Sequence, residues 1–125
     1  MDIRRKQKAV VDALEDIKAK DVAVYNVTHL TSLFDRVIIA TADSARQTKA
    51  LAHSVRDKLI ELGDRVAGIE GEDNGEWVLV DAGDIIVHIM QPAIREHYNL
   101  EELWDQPKPR VRRTTRVAAE AQPGA

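Results

Sequence analysis

Apolar residues at the start of the chain recur with the repeat of one buried helical stripe. Ile3, Val10, Leu14 and Ile17 stand seven, four and three positions apart, which predicts a first helix over 3–19. Val22–Val27 is short and β-branched, and after the loop Thr28–Phe34 a similar run covers Arg36–Thr41, so both are predicted strands. Ser44 precedes Gln47 by three residues, a capping-box spacing. Leu51, Val55, Leu59 and Leu62 then follow at helical intervals up to Gly63, predicting a second helix. Val66–Ile69, Trp77–Val80 and Ile85–Met90 are three more apolar runs, separated by turn-forming Gly, Asp, Glu and Asn. The link Ala82-Gly83-Asp84 is short enough for a hairpin. Pro92 suits the first turn of a short helix over 93–98, and Leu100–Trp104 can form a further turn. This order predicts an α+β fold: a single domain with a mixed sheet of about five strands packed with helices.

Bulk properties narrow the setting. The 125 residues suit one core, and no apolar run approaches the roughly 20 residues that span a bilayer. The opening MDIRRKQK leads into the amphipathic pattern without a signal-peptide stretch, so a cytoplasmic location is expected. With no cysteine, disulfides, thiolate catalysis and cysteine-ligated metals are excluded. Charge is unevenly placed. Residues 1–105 hold 13 Lys/Arg against 20 Asp/Glu, a net of −7, while 106–125 hold five against one, a net of +4. The natural partner of an acidic body is a basic surface rather than a run of phosphates. From Gln106 onward, three prolines, a charge run and small residues predict a disordered basic tail, giving a domain over 1–105 and a tail over 106–125.

The carboxy-terminal half of the body carries a distinctive series. It runs Glu70-Gly71, Glu76-Trp77-Val78-Leu79-Val80-Asp81, Gly83-Asp84-Ile85-Ile86-Val87-His88-Ile89-Met90, then Arg95, Tyr98, Leu100-Glu101 and Leu103-Trp104. The amino-terminal half adds Asp35-Arg36-Val37-Ile38-Ile39-Ala40-Thr41 and Ser44-Ala45-Arg46. Together, over about 1–105, these resemble the ribosomal silencing factor (Iojap-like) family. The resemblance implies a fold similar to nucleotidyltransferases without their activity, and no cofactor is expected from the residues. It also implies binding to the large ribosomal subunit through ribosomal protein fourteen, with a steric block of small-subunit joining that represses translation. A role in assembly of the large subunit is the alternative within the same setting.

Strand alternation indicates where such a partner would sit. Val78 and Val80 share one face with Ile85, Val87 and Ile89, and this uniformly aliphatic side is assigned to the core under the two helices. The other side holds Trp77, Leu79 and Asp81 with Ile86, His88 and Met90, an apolar patch with polar members that suits recognition anchored by an aromatic. The opposing expectation is that Trp77 and Met90 are buried under the first or the carboxy-terminal helix. Residues 64–84 also concentrate acid: Asp64, Glu70, Glu72, Asp73, Glu76, Asp81 and Asp84 against Arg65 alone. Glu72–Asn74 reads as a solvated turn, whereas Glu70 and Asp81 at strand ends can meet a basic partner. The expected partner surface is Glu70, Trp77, Leu79, Asp81, His88, Met90, Tyr98 and Leu100. An apolar strand face of this kind also makes a homodimer plausible.

Enzymatic readings fare worse. Nucleotidyl transfer needs a Gly-Ser phosphate loop and two carboxylates alternating on one strand to hold divalent metal. Here Thr31 precedes Ser32, and Val37 stands where the partner of Asp35 is required. His29, His53, His88 and His97 lack metal-ligand spacing, and Ser44 serves as a helix cap rather than a nucleophile. There is no P-loop, G-x-S-x-G or G-x-G-x-x-G. An RNA-binding module rests only on Lys108, Arg110, Arg112, Arg113 and Arg116, which could touch ribosomal RNA weakly or simply solubilise the end of the chain.

Overall fold

The computed structural model describes residues 1–104, so the tail assigned to 106–125 lies outside the described residues. The elements are α1 (Ile3–Asp16), β1 (Lys20–Asn26), β2 (Arg36–Thr41), α2 (Ala45–Glu61), β3 (Gly68–Glu70), β4 (Trp77–Asp81), β5 (Ile85–Met90), α3 (Pro92–Tyr98) and α4 (Glu101–Trp104). They form an α+β domain around one five-stranded sheet of order β1-β2-β5-β4-β3. Only β2 and β5 run parallel; the other neighbours are antiparallel. A parallel pair needs a crossover, and α2 with the β3–β4 hairpin supplies it.

Local chemistry explains most element ends. Asp2 caps α1 by accepting from Arg5 N at 2.8 Å, and Ser44 Oγ caps α2 by accepting from Gln47 N at 3.1 Å. The Gln47 side chain accepts from Asp43 N and donates to the Ile17 and Lys18 carbonyls, tying the start of α2 to the end of α1. Three expected boundaries are corrected. Helix α1 stops at Asp16 rather than 19, because the Ile17 and Lys18 N–H groups turn back onto Leu14 and Glu15 and Lys18 adopts φ 66°. That early stop lets β1 begin at Lys20 instead of Val22. Strand β3 lies at Gly68–Glu70 rather than Val66–Ile69, since its register is set by β4, with Gly68 opposite Asp81 and Glu70 opposite Leu79.

The two sheet faces carry two cores. On one face α1 and α2 bury Val10, Leu14, Leu51, Val55 and Leu59 against Ile38, Val78, Val80, Ile85, Val87 and Ile89, the aliphatic side anticipated from alternation. On the other, a smaller cluster of Val27, Val37, Ile39 and Met90 is covered by Ile94 of α3, Trp104 of α4 and Leu100 of the turn between them, with Tyr25, Phe34 and Trp77 at its margin. Polar anchors fix both layers. Lys6, on the buried stripe of α1, reaches the Ala82 carbonyl at 2.6 Å, Asp84 at 2.7 Å and Asp64 at 3.3 Å, holding α1 to the β4–β5 turn. Arg95 of α3 bonds Glu101 at 2.8 Å, Thr41 Oγ1 at 2.8 Å and the Asp21 carbonyl at 2.6 Å, clamping α3 onto the sheet.

Candidate functional site: the half-covered sheet face

Ile94, Leu100 and Trp104 cover Val37, Ile39 and Met90 of β2 and β5, and Tyr98 of α3 meets β4 at Trp77, while the rest of the β4–β3 side of this face joins neither apolar cluster among the described residues. Leu79 and Ile86 point there, are partly exposed, and belong to neither apolar cluster. Glu70, at the end of β3, is exposed, and Asp81, at the end of β4, is partly so. Neither carboxylate joins an ion pair among the described residues. Asp81 instead accepts from Gly83 N at 2.9 Å and closes the hairpin turn.

Trp77 borders the uncovered half. Its ring centroid lies 5.0 Å from that of Tyr98 and 5.8 Å from His88, and Tyr98 is 52% exposed. The two aromatics form a ledge between the covered and open halves. Trp77 Nε1 donates to His88 Nδ1 at 3.0 Å. An indole nitrogen only donates, so His88 Nδ1 is unprotonated and its proton sits on Nε2. Burial pushes the His88 pKa down to about 4, leaving the ring neutral near pH 7.

The loop before Trp77 is rigidly placed. Gly71 adopts φ +89° and a Cβ there would collide with the Trp77 carbonyl oxygen. Gly75 adopts φ +72° with Ala45 backbone 2.8 Å from where a Cβ would lie, and its carbonyl accepts from Thr48 Oγ1 at 2.7 Å and Gln91 Nε2 at 3.1 Å. Glu72 pairs with His53 of α2 at 2.6 Å, and Asn74 closes a turn on Glu76 N. The Glu72–Asn74 stretch is therefore a turn held against α2.

Of the eight expected partner residues, the structure brings Glu70, Trp77, Leu79, Asp81 and Tyr98 to one accessible region. Two expectations about exposure are corrected. Met90 is 0% exposed beneath α3 and α4, as the competing burial expectation had it, and His88 is only 8% exposed. Leu100 packs its side chain against the same cluster. These three shape the surface from below. Ile86 is a lining residue that the expected set lacked, although strand alternation placed it on this face. Arg95, which seats α3, carried no signal of that role in the sequence.

The nucleotidyl-transfer positions are equally informative. Val37 is fully buried in the second cluster, so a carboxylate there would sit in an apolar core rather than beside Asp35 at a metal. Among the described residues no group of three or more His, Asp or Glu is arranged to hold a metal ion, and no helix is long and apolar enough to cross a membrane.

The sheet and its two layers define a small α+β domain in which one sheet face is only half covered and is bordered by the Trp77–Tyr98 ledge. Comparison with known proteins makes the class specific. Residues 1–125 match the family described as "Ribosomal silencing factor during starvation", which extends the match past the body into the tail. The chain is 54% identical over 109 residues to ribosomal silencing factor RsfS of Chromobacterium violaceum, covering 87% of this chain and 89% of that protein. It is 33% identical over 98 residues to "Mitochondrial assembly of ribosomal large subunit protein 1" of Mus musculus, covering 76% of this chain and 43% of that one. A crystal structure of a Chromobacterium violaceum protein superposes with a TM-score of 0.83 at 50% identity, covering 96% of this chain and 98% of that chain. The chain belongs to the ribosomal silencing factor family.

Proposed function

We propose that this chain binds the large ribosomal subunit through ribosomal protein fourteen and, by occupying that site, blocks association with the small subunit and represses translation in the cytoplasm. It acts as a stoichiometric binding factor and not as an enzyme. Relatives named as ribosomal silencing factors, and a mouse relative named for assembly of the mitochondrial large subunit, support the large subunit as partner. The observation that carries the choice of surface is the ledge of Trp77 and Tyr98 beside Leu79, with the carboxylates of Glu70 and Asp81 alongside. A partly exposed aromatic pair provides an anchor, and acidic groups at the rim suit a basic protein surface.

Co-sedimentation with purified large subunits tests this. Trp77→Ala should weaken binding by on the order of 2 kcal/mol, about thirtyfold. Because Trp77 also packs on Met90, Leu79→Asp and Glu70→Lys, whose side chains lie outside both clusters, separate binding from folding. Loss of binding with an unchanged thermal transition supports the surface. Variants that all bind like the parent would place the contact elsewhere. The mouse relative's name favours a second role in large-subunit assembly, which uses the same docking step.

A further inference from the structure

The uncovered half of the second sheet face lies next to the point where the described chain stops. Trp104, the last described residue, packs edge-on against Phe34 with centroids 5.8 Å apart. Phe34 directly precedes Asp35, whose N–H donates to the Asp84 carbonyl at 2.8 Å. Asp84 in turn stands at the β4–β5 turn with Asp81. The chain therefore leaves the domain at the same end of the sheet as the open patch of Asp81, Ile86 and Leu79. That patch is two strands away from β2, a lateral distance of about 10 Å.

Beyond Trp104 the chain continues through the segment 105–125, with Lys108, Arg110, Arg112, Arg113 and Arg116. At about 3.3 Å per extended residue, Lys108 can reach roughly 13 Å from Trp104 and Arg113 roughly 30 Å, enough to cross β5, β4 and β3. Charge favours this path. The body through residue 105 carries −7 and the segment from 106 carries +4. Glu70 and Asp81 on the open face have no ion-pair partner among the described residues, whereas Asp64 and Asp84 at the same end are already held by Lys6. Tethering makes the encounter intramolecular, so even weak ion pairs act at a high effective concentration.

From this we infer that the basic segment 105–125 docks on the chain's own uncovered β4–β3 face, its cations on Glu70 and Asp81, and competes with the ribosomal partner for that surface. The competitive part rests on the proposed binding surface; the intramolecular contact does not. Basic side chains of the segment occupy the positions that a basic protein would use, so the free chain is held in a self-covered state. If the segment covers the face for about 80–90% of the time, apparent affinity for the large subunit falls about five- to tenfold. High ionic strength loosens the cover and the partner contact together, so the discrimination must come from variants.

The full-length chain allows a direct test. It contains no cysteine, so Ala118→Cys gives a unique site for a spin label and keeps all five cations. The expected result is loss of amide NMR intensity at Gly68, Leu79 and Ile86 at about 50 mM salt, recovered at about 0.5 M. The same labelled chain carrying Glu70→Gln and Asp81→Asn should lose the effect. Unaffected intensities, or broadening that ignores those two substitutions, would overturn the contact. In a second arm, the five cations are replaced by Gln in the full chain and binding to purified large subunits is measured. About five- to tenfold tighter binding is expected; equal or weaker binding overturns the competitive role, weaker binding indicating that the segment instead touches ribosomal RNA. If neither parent nor variant binds large subunits, the proposed partner fails, while the spin-label arm still decides the intramolecular contact.

Discussion

Acid should destabilise this protein through His88 in a way that can be isolated. The ring is 8% exposed, accepts a hydrogen bond from Trp77 Nε1 on Nδ1, and has its pKa lowered by burial from 6.5 to about 4. In the unfolded chain it takes a proton near pH 6.5, whereas the folded chain does so only near pH 4. Between these values the unfolded state holds more protons, so stability is fully present above about pH 6.5 and is lost as pH falls toward 4. A shift of about 2.5 units corresponds to roughly 3 kcal/mol in full, of which about 2 kcal/mol is gone by pH 5. Other groups titrate over the same range, so the informative quantity is a difference. Urea unfolding of the parent and of His88→Gln, compared at several pH values from 7.5 to 4, should give stability curves that converge by about 2 kcal/mol at pH 5. Parallel curves would refute the account of His88 as a buried, neutral acceptor.

Other substitutions probe the supporting structure. Met90→Ala should cost about 2–5 kcal/mol by urea unfolding, because the side chain is fully enclosed under α3 and α4; a loss below about 1 kcal/mol would mean these helices do not seal the face. Gly71→Ala should destabilise by roughly 1–3 kcal/mol or more through its positive φ and the collision with the Trp77 carbonyl, whereas Gly63→Ala meets only the backbone strain; equal costs at the two sites would contradict the close approach. Asp35→Asn should leave large-subunit binding unchanged in co-sedimentation, since Val37 provides no second carboxylate; abolished binding with an intact fold would assign Asp35 a role that the surface lacks.

Elements whose ends are set by side chains close in sequence were legible. Ser44 and Gln47 announced α2, and the Ala82–Asp84 link announced the hairpin that brings Asp81 opposite Ile86. Strand alternation separated the two faces correctly, down to the aliphatic set under α1 and α2. It could not say which face would receive a second layer. Both Trp77 and Met90 point to the same side, yet α3 buries Met90 completely and leaves Trp77 at the margin. That difference depends on where Arg95 pins α3, through contacts to Thr41, Asp21 and Glu101 that are remote from one another in the chain. Lys6 is a similar case. On a sequence it is one cation in a charged helix, whereas in the fold it is buried between two aspartates and a carbonyl brought from the far end of the domain.

Silencing of ribosomes by occupation of a surface is tested most directly by subunit joining. Purified large and small subunits are mixed across a series of factor-to-ribosome ratios and their association is read by sedimentation. Occupancy predicts inhibition that is immediate, needs no nucleotide or divalent-metal turnover, and saturates near one functional unit of factor per large subunit. Inhibition that grows with time at substoichiometric factor, or that requires a nucleotide, would contradict it.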